Sequence, residues 1–176
     1  MLKRRILSVF ALALIAVTAL PSAFGAGSTS QPHPQVAEQL KDFKYKVLDL
    51  RREADHLNSF SRNPQLSWKS HADRQNRAKE HINQLGRMLT ELENQKSLAS
   101  ETQRLAIEQS RPHLEAAAQS LTRAMEMMNE QRQIIHHEGY IDTVRGLWMH
   151  SDSLSQKLDT ILDYENSKLR FENLEL

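Results

Sequence analysis

The chain contains no cysteine. That excludes disulfides, a lipid-modified N-terminal cysteine, haem attached through C-x-x-C-H and thiolate metal sites. Glycine is almost as scarce: five in 176 residues, with Gly25 and Gly27 both near the start. No glycine-rich phosphate loop, G-x-S-x-G elbow or H-E-x-x-H pair occurs, so the chain is expected not to be an enzyme. Alternating β-branched stretches are missing, which argues against strands. No Lys/Arg-rich run survives beyond the first residues, so nucleic acid is excluded as a partner. The longest uncharged apolar run, Ile6–Leu20, falls short of the ~20 residues that a membrane-spanning helix needs.

That run is the centre of a different signal. Lys3, Arg4 and Arg5 precede it, and small, turn-forming residues from Pro21 to Ala26 follow. This is the order of a secretory signal peptide covering residues 1–25, with cleavage expected between Gly25 and Ala26. The expected location is therefore periplasmic or secreted, with no membrane span in the mature chain. Three of the 23 basic residues lie in the leader and none of the 22 acidic ones, so the remainder carries −2 against +1 overall. Residues 26–34 are small, polar and proline-bearing, as in a flexible tether.

From there the pattern is helical. Val36, Leu40, Phe43, Val47, Leu50, Ala54 and Leu57 recur in steps of three and four and predict a helix over about 35–62, stopped by Asn63-Pro64. Ser67 caps a second, over about 67–96, with Trp68, His71, Gln75, Ala78, Ile82, Leu85, Leu89 and Leu92 inward. Ser100-Glu101-Thr102-Gln103 is a capping box that opens a third, over 100–137. Its seam is Ile107, Ser110, Leu114, Ala117, Leu121, Ala124, Met128, Gln131 and Ile135, and Gly139 is its expected stop. Pro112 falls on the solvent side, where it kinks the helix without ending it. A fourth helix over 140–171 buries Tyr140, Val144, Leu147, Ser151, Leu154, Leu158 and Ile161, then drifts through Leu162 and Leu169, leaving 172–176 frayed. Short turns between long helices predict an all-α fold, an antiparallel up-down-up-down four-helix bundle. The same heptads would also support a homodimer.

His71 and Gln75 are inward polar residues that need partners. Counting ~1.5 Å per residue through the turns brings His56, His71 and His150 to similar heights, level with Met125 to Met128. Glu53 stands one turn from His56 as an E-x-x-H pair. Imidazole suits zinc and copper, and thioether suits cuprous copper or haem iron, so His71, His150, His56, Met125 and Met128 are the candidate ligands of a copper, zinc or haem b site. The di-iron pattern requires two such E-x-x-H pairs, and only one is present.

The run from Trp68 to Leu92, W-x-x-H-A-x-x-x-N-x-x-K-x-H-I-N-x-x-G-R-x-L-x-x-L, resembles a stretch of small exported all-helical bacterial proteins with no assigned activity. It covers under a fifth of the chain. Exported helical chaperones are similar in size and helicity, but their L-T-x-x-Q motif is absent at Leu89-Thr90 and Leu121-Thr122. The b-type four-helix cytochromes are similar in topology and imply an axial methionine in the first helix, where this chain has none. Two expectations follow. One is an exported bundle that binds another protein or the cell envelope through a helix face, without cofactor. The other is a periplasmic metal- or haem-binding bundle.

Overall fold

The computed structural model describes residues 31–63, 65–172 and 174. The leader, residues 26–30 of the tether and most of the tail lie outside the described residues. Four long helices and one 3-10 turn make up the fold, with no strand among the described residues: α1 (Pro34–Ser61), α2 (Trp68–Asn94), α3 (Glu101–Glu130), the 3-10 turn Arg132–His136, and α4 (Glu138–Glu172). Among those residues no helix is long and apolar enough to cross a membrane.

Each start has a chemical cause. Pro34 occupies the first turn of α1, where its missing N–H costs no hydrogen bond. The Ser67 hydroxyl accepts from the Ser70 N–H at the head of α2. Ser100 and Gln103 form the full reciprocal capping box on α3. Pro112 lies inside α3 with its side chain exposed, and the helix continues through it.

All seven expected seam residues of α1 are fully buried, and they join one apolar core with residues from the other three helices. A buried leucine contributes about 1.5–3 kcal/mol, the same order as a disulfide's about 2–4 kcal/mol. A few such side chains therefore replace the missing crosslinks. Seam serines need no partner helix: the Ser110 hydroxyl donates to the Ala106 carbonyl (2.7 Å), and Ser151 to Leu147 (2.8 Å).

Contacts between α3 and α4 are the most extensive, and a glycine explains part of this. A Cβ placed on Gly146 would sit 3.1 Å from the Ser120 hydroxyl, so the two helices approach closely there. Salt bridges mark the levels elsewhere. Lys44 meets Asp159 (2.5 Å) and Arg51 meets Asp152 (2.7 Å) between α1 and α4. Arg74 meets Glu53 (2.8 Å) between α2 and α1, and Arg111 pairs with Glu93 between α3 and α2. Of the four neighbouring pairs, α2 and α3 touch least.

One expected element differs. The third helix ends at Glu130, not His137: Gln131 is extended (φ −149°, ψ 108°), and the chain resumes as the 3-10 turn. Gln131, expected inward, is exposed, while Ile135 still reaches the core. No glycine or proline forces this break. The Arg132 guanidinium lies over the Trp68 ring, 4.1 Å from its centroid, a contact that follows the extended residue. Gly139 stops nothing; it is the second residue of α4.

A polar clamp holds the opposite end. Gln103 accepts from the N–H of Ser100 (3.0 Å) and of His33 (3.1 Å) and donates to the His33 carbonyl (3.1 Å). Ser100 also donates to the Glu165 carboxylate (2.8 Å), so the beginnings of α1 and α3 meet the end of α4. Glu165 is buried, whereas Leu162 and Leu169, the expected inward stripe of this part of α4, are half-buried. Burial pushes its pKa up, opposed by the Ser100 hydrogen bond and the Lys168 charge. A carboxylate with a raised folded pKa contributes most below its ordinary value of 4.5 and loses that contribution as pH rises through the folded value. Glu165→Gln keeps an acceptor for Ser100 and removes the buried charge. Urea denaturation should show this variant more stable than wild type at pH 7.5, with the advantage gone near pH 4.5; an equal or lower midpoint at pH 7.5 counts against the assignment.

Candidate functional site

His71 and Gln75 stand one turn apart on α2, and both are buried. Their shared partner is Tyr140, in the first turn of α4. His71 Nδ1 lies 3.0 Å from the tyrosine oxygen, and Gln75 Nε2 donates to the same oxygen at 3.1 Å. The phenolic oxygen accepts from Gln75 and shares a hydrogen bond with His71 Nδ1 whose direction follows the imidazole tautomer. Tyr140 and the Phe60 ring of α1 both stand edge-on to the imidazole, with centroids 5.6 Å and 6.2 Å away. Burial holds the His71 pKa below the usual imidazole range, and the charge of His136 lowers it further. Burial likewise raises the Tyr140 phenol, against the Gln75 hydrogen bond. Gln75 Oε1 has no partner among the described residues.

The other candidate ligands do not gather around His71. Because Tyr140 touches His71, His150, ten residues further along α4, stands about 15 Å away in height. Its imidazole neighbour is His113, whose pKa is lowered by burial, then by Lys157 and by His150. His56 is half-buried, and its Nδ1 is enclosed without a partner. Met128 is in the core, and Met125 lies over a surface groove. The expected common level is thus corrected. It assumed an α-helix through His137, whereas α3 ends at Glu130 and the 3-10 turn lies against α2, α3 and α4 instead of prolonging α3, so α4 begins at the level of His71. Among the described residues no group of three or more His, Asp or Glu is arranged to hold a metal ion.

The need of His71 for a buried partner was readable, but the height count placed His150 and not Tyr140 at its level. Two polar seam residues spaced i, i+4 call for a facing hydroxyl, and Tyr140 is the seam tyrosine of the fourth helix. What spacing did not show is the groove along the sparse α2–α3 seam. Two adjoining hollows of about 420 and 290 Å³ share Ile82, Asn83 and Ala118. Leu89, Leu114, Leu121 and Met125 form the apolar floor. Gly86 and Ala118 narrow the walls, and a Cβ on Gly86 would meet nothing within 4 Å. Lys79 and Arg87 rim the α2 side, Arg111, Glu115 and Glu126 the α3 side. The sealed His71 knot positions helices; the groove is a surface open to a partner, as are hollows on the α3–α4 and α1–α4 seams. No protein-family model, curated protein or solved structure matches the chain.

Two outcomes test the knot. Tyr140→Phe strands two buried groups and should cost about 1–3 kcal/mol for each one left unpaired. A histidine whose folded pKa is lowered contributes its full stability above the ordinary 6.5 and loses it as pH falls below that value, since the unfolded chain then binds the proton more tightly. Wild type should therefore weaken between pH 7.5 and 5.5 more steeply than His71→Phe, whatever the variant's absolute stability. Parallel pH profiles would remove His71 as the source.

Proposed function

We propose that this is an exported protein of the interaction type: an antiparallel up-down-up-down four-helix bundle, released from a signal peptide over residues 1–25, that acts by holding a protein partner on a helix face and performs no catalysis. The antiparallel order is supported by the salt bridges, whose numbers rise along α1 from Lys44 to Arg51 while they fall along α4 from Asp159 to Asp152. Export is supported by the basic, apolar and small-residue order of the first 25 residues.

The observation that carries the reading is the open groove between α2 and α3. Hollows also lie on the α3–α4 and α1–α4 seams. But α2 and α3 touch least of the neighbouring pairs, and their groove has the core leucines Leu89, Leu114 and Leu121 at its bottom between charged walls. A helix face that exposes an apolar floor between polar rims is the usual form of a helix-recognition surface.

Gly86 offers the test. Gly86→Ala meets open space inside a helix and should raise stability by about 1 kcal/mol. Gly86→Trp fills the groove without touching the core, so its melting temperature should remain near that of wild type. A photo-crosslinker placed at Asn83 should give defined protein adducts in the envelope fraction, and Gly86→Trp should abolish them. Adducts that persist unchanged in the tryptophan variant, or no adducts at all, would sink the reading.

A further inference from the structure

The groove has a property beyond its apolar floor: its two walls carry opposite charge at matching levels. Lys79 on α2 lines the same hollow as Glu126 on α3, and Arg87 the same hollow as Glu115. All four side chains are exposed. Among the described residues neither Lys79 nor Arg87 has an ionic partner, since the groove between the walls holds the charges apart. Glu126 has only Arg123 of its own helix (3.8 Å), and Glu115 only Arg111 (3.1 Å).

Arg111 of α3 also lines the Arg87 hollow, where it is paired with Glu93 and Glu115. At the Lys79–Glu126 and Arg87–Glu115 levels the surface has a basic α2 edge and an acidic α3 edge and is complementary to itself. Rotation by 180° about an axis parallel to the helices lays α2 of one copy against α3 of the other at equal height. Lys79 then faces Glu126 of the second copy, and Arg87 faces Glu115 of the second copy. Each contact occurs twice, as a two-fold axis requires. A two-fold perpendicular to the helices would instead set α2 on α2 and α3 on α3, opposing like charges, which is costly. At the midpoint Gly86 and Ala118, small residues at one level, let the facing helices come close. The half-buried Ile82 and Met125 then lose their remaining contact with water.

We infer that the partner held in this groove is a second copy of the chain, related by a two-fold axis parallel to α2 and α3 and selected by the Lys79–Glu126 and Arg87–Glu115 pairs. The inference rests on the reading of the groove as a protein-binding surface and names its occupant. Two helices wide and about five turns long, the face buries on the order of 1,000 Å² in total, the lower limit for a specific interface. The association is therefore reversible, and salt weakens it.

Charge exchange tests it, with sedimentation of the mature protein as the readout and thermal melts as the folding control. Lys79→Glu with Arg87→Glu makes both walls acidic and should weaken self-association roughly tenfold or more. Glu115→Lys with Glu126→Lys makes both walls basic and should do the same. Mixing the two variants should restore the dimer as a heterodimer, and the fourfold exchange in one chain should restore the homodimer. A wild type that is monomeric at 100 mM salt and about 100 µM protein, far above a micromolar dissociation constant, overturns the inference. So does a dimer indifferent to all four substitutions. The groove reading fails separately: a monomer that still gives crosslinks from Asn83 to another protein, abolished by Gly86→Trp, removes the second copy but keeps the groove. A monomer without such crosslinks removes both.

Discussion

The hydroxyl of Tyr140 fixes the register of the fold. It takes a hydrogen bond from Gln75 and shares another with His71, so α4 begins where those two residues of α2 already stand. An apolar seam alone tolerates sliding by a turn, because one leucine fits the place of another with little loss. A buried hydroxyl between an amide and an imidazole does not. Moving α4 one turn would leave His71 and Gln75 each short of a partner in a dry interior, which makes the slipped arrangement costly. Specificity of packing comes from this polar contact, while most of the stabilising free energy comes from the apolar side chains around it.

Much of this was legible in the sequence. Six of the eight α2 seam positions and all seven of α1 are buried as their spacing requires, and Ser67 and the Ser100–Gln103 box cap the helices they precede. Such features are local, since a heptad stripe or a capping box is complete within a few residues. The end of α3 was not legible. Met128 and Ile135 are buried whether the residues between them are helical or not, so the stripe continues across the break at Gln131. What accompanies the break is the stacking of Arg132 on Trp68, a contact between residues 64 apart in the chain. Heights counted through an unbroken helix then place His150 beside His71, which the contact of Tyr140 with His71 rules out. Glu165 escaped for a related reason: a carboxylate at a seam position appears as an irregularity until Ser100 is found opposite it.

The distribution of polar contacts explains why the groove lies where it does. At one end the Ser100–Gln103–Glu165 clamp joins the starts of α1 and α3 to the end of α4. At the other, the Tyr140 knot joins α2 to α4, with Phe60 of α1 packed on His71. Every helix enters at least one of these buried sets, but α2 and α3 share neither. Their side-chain ties are the ion pairs Arg111–Glu93 and Lys96–Glu108, both near the turn that connects them. Away from that turn no hydrogen bond or ion pair joins α2 to α3 among the described residues, leaving apolar contact alone, and α3 approaches α4 closely where Gly146 meets Ser120. Small residues at Gly86 and Ala118 leave the remaining space unfilled. The open seam is thus a consequence of where the chain places its buried hydrogen bonds, and larger side chains at those two positions would close it without disturbing either end.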